Sequence, residues 1–294
     1  MPPPESPRRS RISPPTKASE APGRSARTLV HLSDVHFGPK HDPAAAAAAR
    51  AFVASRRPDV VVVSGDLTQR AKPAQFAAAR AWIDTLPGPR VVVPGNHDVP
   101  LYRVWERALA PFGAWRRHFS PDLETEFADE RLIVLGVNSA FNWTFKGGHL
   151  RRRRIDEVQA RFAAAGPGAF KVVVVHHPLG PAPEEPREPV ARRARRALGS
   201  FSAAGADLVL AGHLHHSFLI DSSTLLAAEH REILLLHVGT TTSTRGRGRE
   251  RGANTFAWIA VERDHVAIDL MRFDRAAGEF RLDRRWEVPR LPTR

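Results

Sequence analysis

The sequence contains no cysteine, one tyrosine and two methionines. Without cysteine the chain forms no disulfide bond, and any bound metal ion must be held by nitrogen and oxygen ligands. The sequence also lacks a run of 18 or more consecutive apolar residues, which is the length that a membrane-spanning helix requires. We therefore expect a cytoplasmic protein, working in a reducing compartment and without a membrane partner.

Lysine is scarce, because 39 of the 44 basic residues are arginine, and the formal net charge is +13. Alanine is abundant, and this combination is typical of a GC-rich coding bias as much as of selection for a polyanionic partner. A positive surface can attract phosphorylated substrates, but an ordinary solvated basic surface has the same composition. The charge alone therefore identifies no partner.

The first 27 residues differ in composition from the rest of the chain. They are rich in proline, serine and arginine, and they lack the apolar segment of a secretory signal. The remainder has ordinary hydrophobic content and is long enough to bury one large core. The sequence therefore predicts a disordered basic tail over residues 1–27 and one domain over residues 28–294.

The first half of the domain alternates apolar β-rich runs with helical segments. Strands are predicted at 28–33, 59–64 and 90–93, and helices at 43–57 and 73–86. Strands separated by helices in units of about 30 residues indicate βαβ crossovers, and hence a largely parallel sheet.

The last third of the chain has strand-like runs without helices between them. This pattern predicts antiparallel pairing in a second sheet. The predicted strands lie at 224–228, 233–238, 255–261, 266–271 and 280–286.

Polar side chains follow five of the apolar runs. In parallel α/β sheets ligand sites lie at the carboxyl ends of the strands, so these side chains should converge. Carboxylate, imidazole and amide ligands suit manganese, iron or zinc, and burying them together without a metal ion would be costly. The side chains concerned are Asp34, His36, Asp66, Asn96, His97, Asp98, His176, His177, His213 and His215.

The five motifs resemble, in order, those of the calcineurin-like metallophosphoesterase superfamily. They are LSDVHFG, SGDLTQRA, PGNHDVP, VVVHHP and AGHLHH. The form GDLTQRA and the segment 239–256 (GTTTSTRGRGRERGANTF) are most similar to bacterial proteins grouped with class III cyclic-nucleotide phosphodiesterases. The resemblance implies an α/β (α+β) fold, namely a four-layer αββα sandwich of two mixed β-sheets flanked by helices.

The resemblance also implies a site with two divalent or mixed-valence metal ions, manganese or iron, with zinc as an alternative. The ions would lie about 3.5–4 Å apart and share a hydroxide that attacks phosphorus. The ligands carried over are Asp34, His36 and His215 for the first ion, and Asn96, His176 and His213 for the second. Asp66 would bridge the two ions.

Four further residues receive roles from the same resemblance or from their position. His97 would lie near the leaving oxygen, as proton donor or electrostatic stabiliser. Asp98 is expected to orient its neighbours rather than to bind metal. His177 is a candidate for orienting a metal ligand or for contacting the substrate, and Arg245, in an arginine-rich loop, for gripping a phosphate or a nucleobase.

These features predict a metal-dependent phosphoric ester hydrolase, specifically a phosphodiesterase for a small diester such as a cyclic nucleotide. A phosphomonoesterase and a nuclease are alternatives, because the same metal centre serves all three. The alternative from another class is a non-catalytic basic protein that binds nucleic acid. Loss of metal ligands would be the sequence mark of that alternative, and no ligand of the family pattern is missing.

Overall fold

The computed structural model of the protein describes residues 11–16, 26–144, 146–166 and 168–292. Its strands form two six-stranded mixed sheets. The first sheet contains, in spatial order, β12 (Glu279–Pro289), β11 (His265–Asp274), β10 (Thr255–Val261), β1 (Arg27–Leu32), β2 (Val60–Val63) and β3 (Arg90–Val92). The second contains β4 (Glu126–Ala128), β5 (Leu132–Gly136), β6 (Phe170–Val174), β7 (Leu208–Ala211), β9 (Leu234–His237) and β8 (Phe218–Asp221).

The two sheets pack face to face through an apolar layer to which both contribute, for example Leu29 and Val62 from the first sheet and Val134 and Val172 from the second. Helices cover the outer faces, so the predicted four-layer αββα sandwich is confirmed. They are α1 (Pro43–Arg56), α2 (Pro73–Asp84), α3 (Val104–Leu109), α4 (Gly113–His118), α5 (Arg152–Ala163) and α6 (Ala194–Ala203). Within the described residues, no helix combines the length and the apolar character needed to cross a membrane.

The central strands are buried on both faces, which explains their continuous apolar sequences. On β1, Leu29 faces the opposite sheet, whereas Val30 and Leu32 pack against the outer helices. β1, β2 and β3 are parallel and in register, as are β5, β6, β7 and β9. The crossover helix α1 begins after Asp42, whose carboxylate accepts the backbone N–H groups of Ala44 and Ala45 at 3.1 Å.

The prediction that the last strands form the second sheet is wrong. β10 pairs antiparallel with β1, and β11 and β12 continue from it, so these three strands extend the first sheet. Of the five predicted strands, the one at 233–238 does join the second sheet, as β9, parallel to β7 and antiparallel to β8. The predicted strand at 224–228 is also wrong: a short 3-10 turn, Ser222–Thr224, overlaps its start, and β8 precedes it.

Part of the segment predicted as a tail lies along the edge of the first sheet. Thr16 exchanges two backbone hydrogen bonds with Arg285 of β12, at 2.8 and 2.7 Å, and Ile12 packs against the layer between the sheets. Residues 1–10 and 17–25, the larger part of that prediction, fall outside the described residues.

Candidate metal centre

The structure brings the five predicted motifs to one place. Each motif follows the carboxyl end of a parallel strand, three from the first sheet and two from the second. β1 leads into Asp34 and His36, β2 into Asp66, β3 into the 3-10 turn Asn96–Asp98, β6 into His176, and β7 into His213 and His215. Both sheets therefore contribute to a single cluster at their common edge.

One half of the cluster contains Asp34, His36, Asp66 and His215, all buried, with ligand-type atoms within 4.8 Å of one another. His36 Nε2 lies 3.6 Å from both Asp34 Oδ1 and Asp66 Oδ2. His215 Nε2 is 3.1 Å from Asp34 Oδ1 and 3.2 Å from His36 Nε2. Two carboxylates and two imidazoles thus point at a common centre.

The other half contains Asn96, His176 and His213. Asn96 Oδ1 lies 3.2 Å from His176 Nε2 and 3.0 Å from His213 Nδ1. His176 Nε2 also lies 3.4 Å from Asp66 Oδ1. Because Asp66 presents Oδ1 to this half and Oδ2 to the other, its carboxylate spans the two halves.

The backbone around the cluster is held in an unusual conformation. Five of its residues have positive φ, namely Asp34 (51°), His36 (44°), Asp66 (53°), His213 (73°) and His215 (59°). Left-handed φ is uncommon for residues other than glycine and costs about 1–3 kcal/mol when sparsely populated regions are used. The surrounding fold maintains this strain where the side chains must converge.

Two glycines allow the close packing that the motifs need. A Cβ at Gly95 would collide with the Asp66 carboxylate, and a Cβ at Gly212 would collide with Ser33 and with Asp34 Oδ2. Glycine before Asn96 and before His213 therefore permits the close approach of the backbone to the two carboxylates.

Backbone carbonyls determine which imidazole nitrogen faces the centre. His176 Nδ1 lies 2.7 Å from the Ser64 carbonyl and His215 Nδ1 lies 2.9 Å from the Arg245 carbonyl. A carbonyl only accepts hydrogen bonds, so Nδ1 donates in both rings. In the neutral ring the lone pair is then on Nε2, the nitrogen that points into the cluster.

The donor atoms of the cluster suit divalent cations. Among the described residues, Asp34 Oδ1 and Asp66 Oδ2 are buried and accept no hydrogen bond. They face Nε2 of His215, whose hydrogen is on Nδ1, and Nε2 of His36, whose Nδ1 lies 3.4 Å from the Thr68 carbonyl. Acceptors therefore meet acceptors in a buried space. Such an arrangement is repulsive unless a cation occupies the centre.

The pKa values of Asp66 and His176 reflect the same excess of negative charge, whereas burial lowers the pKa values of His36 and His213 to about 4 and about 3. Burial would raise the pKa of Asp66, but the neighbouring His176 and His97 hold it well below its usual range. Burial would likewise lower the pKa of His176, yet the carboxylate of Asp66 outweighs it and raises that pKa to about 9. The cluster thus attracts positive charge, which a metal ion can supply in place of the proton.

Asp98 lies beside the cluster and forms hydrogen bonds with the backbone of the turns from which the cluster residues project. Its carboxylate accepts the backbone N–H groups of Leu67 (3.1 Å), Thr68 (2.9 Å) and Gly95 (2.9 Å), and also the Thr68 hydroxyl (2.9 Å). Burial and the charge of Asp66 raise its pKa to about 7. Asp98 therefore ties the turn after β2 to the turn after β3.

His97 lies at the less buried side of the cluster. Its Nδ1 faces the Gln69 carbonyl at 3.0 Å, and its ring meets that of His36 edge to face, with 5.0 Å between centroids. Burial and the positive charge of Arg245 lower the pKa of His97. The Arg70 guanidinium lies 3.4 Å from His97 Nδ1, so cations flank this imidazole.

Three residues near the cluster were not singled out from the sequence. Arg70 is the arginine of the GDLTQRA motif, and its place in that motif was the signal that could have identified it. Ser33 and Ser139 contact Asp34 and His177 respectively, at 2.6 and 2.9 Å. No residue pattern distinguishes such serines from ordinary turn residues, because their role depends on contacts distant in sequence.

The fold is a two-sheet sandwich with a buried cluster of carboxylates and imidazoles at its strand ends. A sequence model described as calcineurin-like phosphoesterase matches residues 27–217, and the chain belongs to that family. Calcineurin-like phosphoesterases use a dinuclear centre of divalent metal ions.

Two curated bacterial proteins are similar in sequence. Glycerophosphodiester phosphodiesterase GpdQ of Enterobacter lignolyticus is 28% identical over 180 residues, which are 55% of this chain and 61% of that protein. A cAMP/cGMP dual specificity phosphodiesterase of Mycobacterium tuberculosis is 27% identical over 265 residues, covering 81% of this chain and 77% of that protein. The chain thus spans less than two thirds of the length of the first of these relatives.

Among solved structures, purple acid phosphatase PPD1 from yellow lupin seeds superposes with a TM-score of 0.69 at 12% identity. The superposition covers 93% of this chain and 55% of the lupin protein. At this identity the likeness shows a shared fold.

Proposed function

We propose that the protein is a dinuclear-metal-dependent phosphodiesterase that hydrolyses a small diester such as a cyclic nucleotide. The observation that carries the proposal is the Asp66 carboxylate, which presents one oxygen to each half of a buried cluster. The similar curated proteins, a glycerophosphodiester phosphodiesterase and a cAMP/cGMP phosphodiesterase, support a diester substrate.

The proposed ligand sets follow the two halves of the cluster. The first ion is assigned to the atoms converging on Asp34 Oδ1 and Asp66 Oδ2, and the second to those around Asn96 Oδ1 and Asp66 Oδ1. Nitrogen and oxygen donors of this kind suit manganese and iron, and zinc is the alternative. The first set is Asp34, His36, Asp66 and His215, and the second is Asp66, Asn96, His176 and His213.

When bound, two such ions lower the pKa of coordinated water and neutralise charge on the phosphoryl oxygens. The chain supplies the remaining functions. Arg70 and Arg245 place positive charge beside the cluster and so favour an anionic diester.

His97 is the proposed proton donor to the leaving oxygen. The Gln69 carbonyl accepts from Nδ1, which leaves Nε2 for the substrate. In the protonated ring Nε2 carries a hydrogen that it can give to the departing alkoxide. The negative charge of a bound diester opposes the burial and the Arg245 charge that lower the pKa of His97.

The test is a substrate panel with metal-free protein that has been reloaded with Mn²⁺ or Zn²⁺. The panel contains an aryl phosphodiester, cyclic mononucleotides, an aryl phosphomonoester and single-stranded DNA. We expect the diesters to be hydrolysed fastest, and Asp66→Ala to abolish turnover. Asp264→Ala removes an exposed carboxylate and is the matched control, expected to act as wild type.

Other results of the substrate panel would favour one of the alternative functions. Preference for the monoester or for DNA would indicate the phosphomonoesterase or the nuclease. Failure of the metal-loaded protein to hydrolyse any member of the panel would overturn the proposal. Strongly salt-dependent DNA binding without turnover would favour a non-catalytic nucleic-acid-binding protein. A cytoplasmic location remains part of the proposal, on the basis of the cysteine-free sequence.

A further inference from the structure

A row of hydrogen-bonded polar side chains lies behind the cluster, in the otherwise apolar layer between the sheets. His31 follows Leu29 on the inward face of β1, and Ser64 follows Val62 on the inward face of β2. Both His31 and Ser64 are completely buried. Burying an imidazole among apolar side chains costs free energy unless its hydrogen-bonding groups find partners.

Starting from His31, successive hydrogen bonds between side chains lead to the cluster. His31 Nε2 lies 2.8 Å from Ser64 Oγ, and Ser64 Oγ lies 2.8 Å from Ser33 Oγ. Ser33 Oγ lies 2.6 Å from Asp34 Oδ2. Four side chains are therefore linked from the middle of β1 to a carboxylate of the cluster.

The hydrogens can be placed one by one from the carboxylate end. Asp34 only accepts, so the Ser33 hydroxyl donates to Oδ2, and this charge-assisted bond is short, at 2.6 Å. Ser33 Oγ then accepts from the Ser64 hydroxyl. Ser64 Oγ in turn accepts from His31, whose neutral ring must carry its hydrogen on Nε2.

Two observations agree with this direction. Burial lowers the pKa of His31 to about 3, so the ring is neutral. Its Nδ1 is buried and has no hydrogen-bond partner among the described residues. A nitrogen without hydrogen is the one expected to be left unpaired, because an unpaired buried N–H would be costlier.

The chain of hydrogen bonds distinguishes the two oxygens of Asp34. Oδ2 accepts from Ser33 and from the backbone N–H of His213, at 2.6 and 3.0 Å. Oδ1 accepts no hydrogen bond within the described residues and faces His36 and His215. Only Oδ1 is therefore available to a cation.

We propose that His31 is a positioning residue, which acts through Ser64 and Ser33 to hold Asp34 so that it binds metal through Oδ1 alone. The proposal rests on the proposed metal site. His31 contacts neither the cluster nor a substrate, and its effect passes through three successive hydrogen bonds. Loss of partners that orient a metal ligand typically weakens metal affinity about 10–100-fold.

The test measures Mn²⁺ binding to metal-free protein by titration calorimetry, without substrate. His31→Leu removes the donor and leaves a side chain that suits the apolar layer. We expect the affinity for Mn²⁺ to fall about tenfold at one of the two sites, the site that contains Asp34, and to stay unchanged at the other. His31→Gln restores a donor near the position of Nε2, and we expect affinity within about threefold of wild type.

Ser64→Ala interrupts the same chain at its centre without adding bulk, and should reproduce the effect of His31→Leu. Ser202→Ala is the matched control, because Ser202 is a buried serine whose hydroxyl donates to the Arg231 carbonyl at 2.9 Å. It should leave Mn²⁺ affinity unchanged. Thermal unfolding of the metal-free variants checks that each one is folded.

Wild-type affinities in both His31→Leu and Ser64→Ala would overturn the proposal, and so would equal losses in His31→Leu and His31→Gln. If wild-type protein binds two ions but these variants do not differ from it, only the positioning role fails. If wild-type protein binds no ion, the proposed function fails as well, so the two failures are distinguishable.

Discussion

Ser139 and His177 share a hydrogen bond whose direction is determined by the surrounding backbone. Ser139 Oγ accepts the backbone N–H groups of His176 and His177, at 3.2 and 3.1 Å. Its own hydrogen is then available to His177 Nδ1, 2.9 Å away. The neutral ring of His177 then carries its hydrogen on Nε2, the opposite tautomer to that of His176. This N–H is buried without a hydrogen-bond partner among the described residues, a cost that the three hydrogen bonds of Ser139 offset.

This difference predicts that His177 is not a metal ligand. A ring nitrogen of His177 lies within 4.8 Å of those of His176 and His213, so proximity alone would include it. Burial and the charge of His213 hold its pKa well below the usual range, which leaves the ring neutral. A nitrogen that carries a hydrogen has no lone pair for a metal ion.

We therefore expect His177→Phe to retain two metal ions per chain and His176→Phe to lose about one. Phenylalanine preserves the ring contacts at both positions, so the variants are matched. Metal content is measured by mass spectrometry after dialysis of the loaded proteins. A His177→Phe protein with one ion would contradict the tautomer argument.

A second prediction concerns Gly95. A Cβ at this position would meet the Asp66 carboxylate, so Gly95→Ala should displace the side chain proposed to bridge the metal ions. We expect at least about a tenfold loss of Mn²⁺ affinity. Gly166→Ala is the control, since a Cβ there has no heavy atom within 4 Å. Calorimetry that gave equal affinities for the two variants would argue against the packing constraint.

A third prediction concerns the stability that Asp98 provides. Asp98→Ala leaves three backbone N–H groups without their acceptor, whereas the Thr68 hydroxyl retains the His97 carbonyl at 3.1 Å. An unsatisfied buried donor costs about 1–3 kcal/mol, so the free energy of unfolding should fall by at least about 3 kcal/mol. Asp98→Asn keeps one accepting oxygen and should lose less. Chemical denaturation of the metal-free proteins measures both, and a smaller loss in the alanine variant would refute the prediction.

The sequence predicted the convergence of the motifs because the physics of parallel strands is local. Buried strands give continuous apolar runs, and their carboxyl ends lie at one edge, so Asp34, Asp66 and Asn96 could be placed together before any contact was known. The tautomers of the histidines could not be predicted in this way. They depend on carbonyls such as those of Ser64 and Arg245, which approach from elsewhere in the chain.

The assignment of the last strands failed for a related reason. Residues 255–261 and 266–271 have strand-like composition, but composition does not specify the neighbour of a strand. β10 pairs with β1, more than 200 residues earlier, and is buried on both faces, so its residue pattern does not identify its neighbour. The partner is determined by tertiary packing, which alternation of residue types does not encode.

A last prediction separates two arginines of one loop. Arg245 is partly buried beside Asp34 and Asp66, and its positive charge reaches His97. Arg247, two residues further on, instead lies 3.7 Å from Glu188 on the opposite loop. If Arg245 contacts the phosphodiester, the two arginines should differ in their effect on substrate binding although they are chemically identical.

We expect Arg245→Ala to raise KM for an aryl phosphodiester about 10–100-fold, because a charge-assisted hydrogen bond contributes about 1.5–3 kcal/mol. Arg247→Ala should change KM less than about threefold, since an exposed ion pair contributes little. The carbonyl of residue 245, which accepts from His215, is retained in the alanine variant, so metal content should stay at its wild-type value. Steady-state kinetics at saturating Mn²⁺ measures the difference. Equal KM values for the two variants would show that the charge of Arg245 serves the folded loop rather than the substrate.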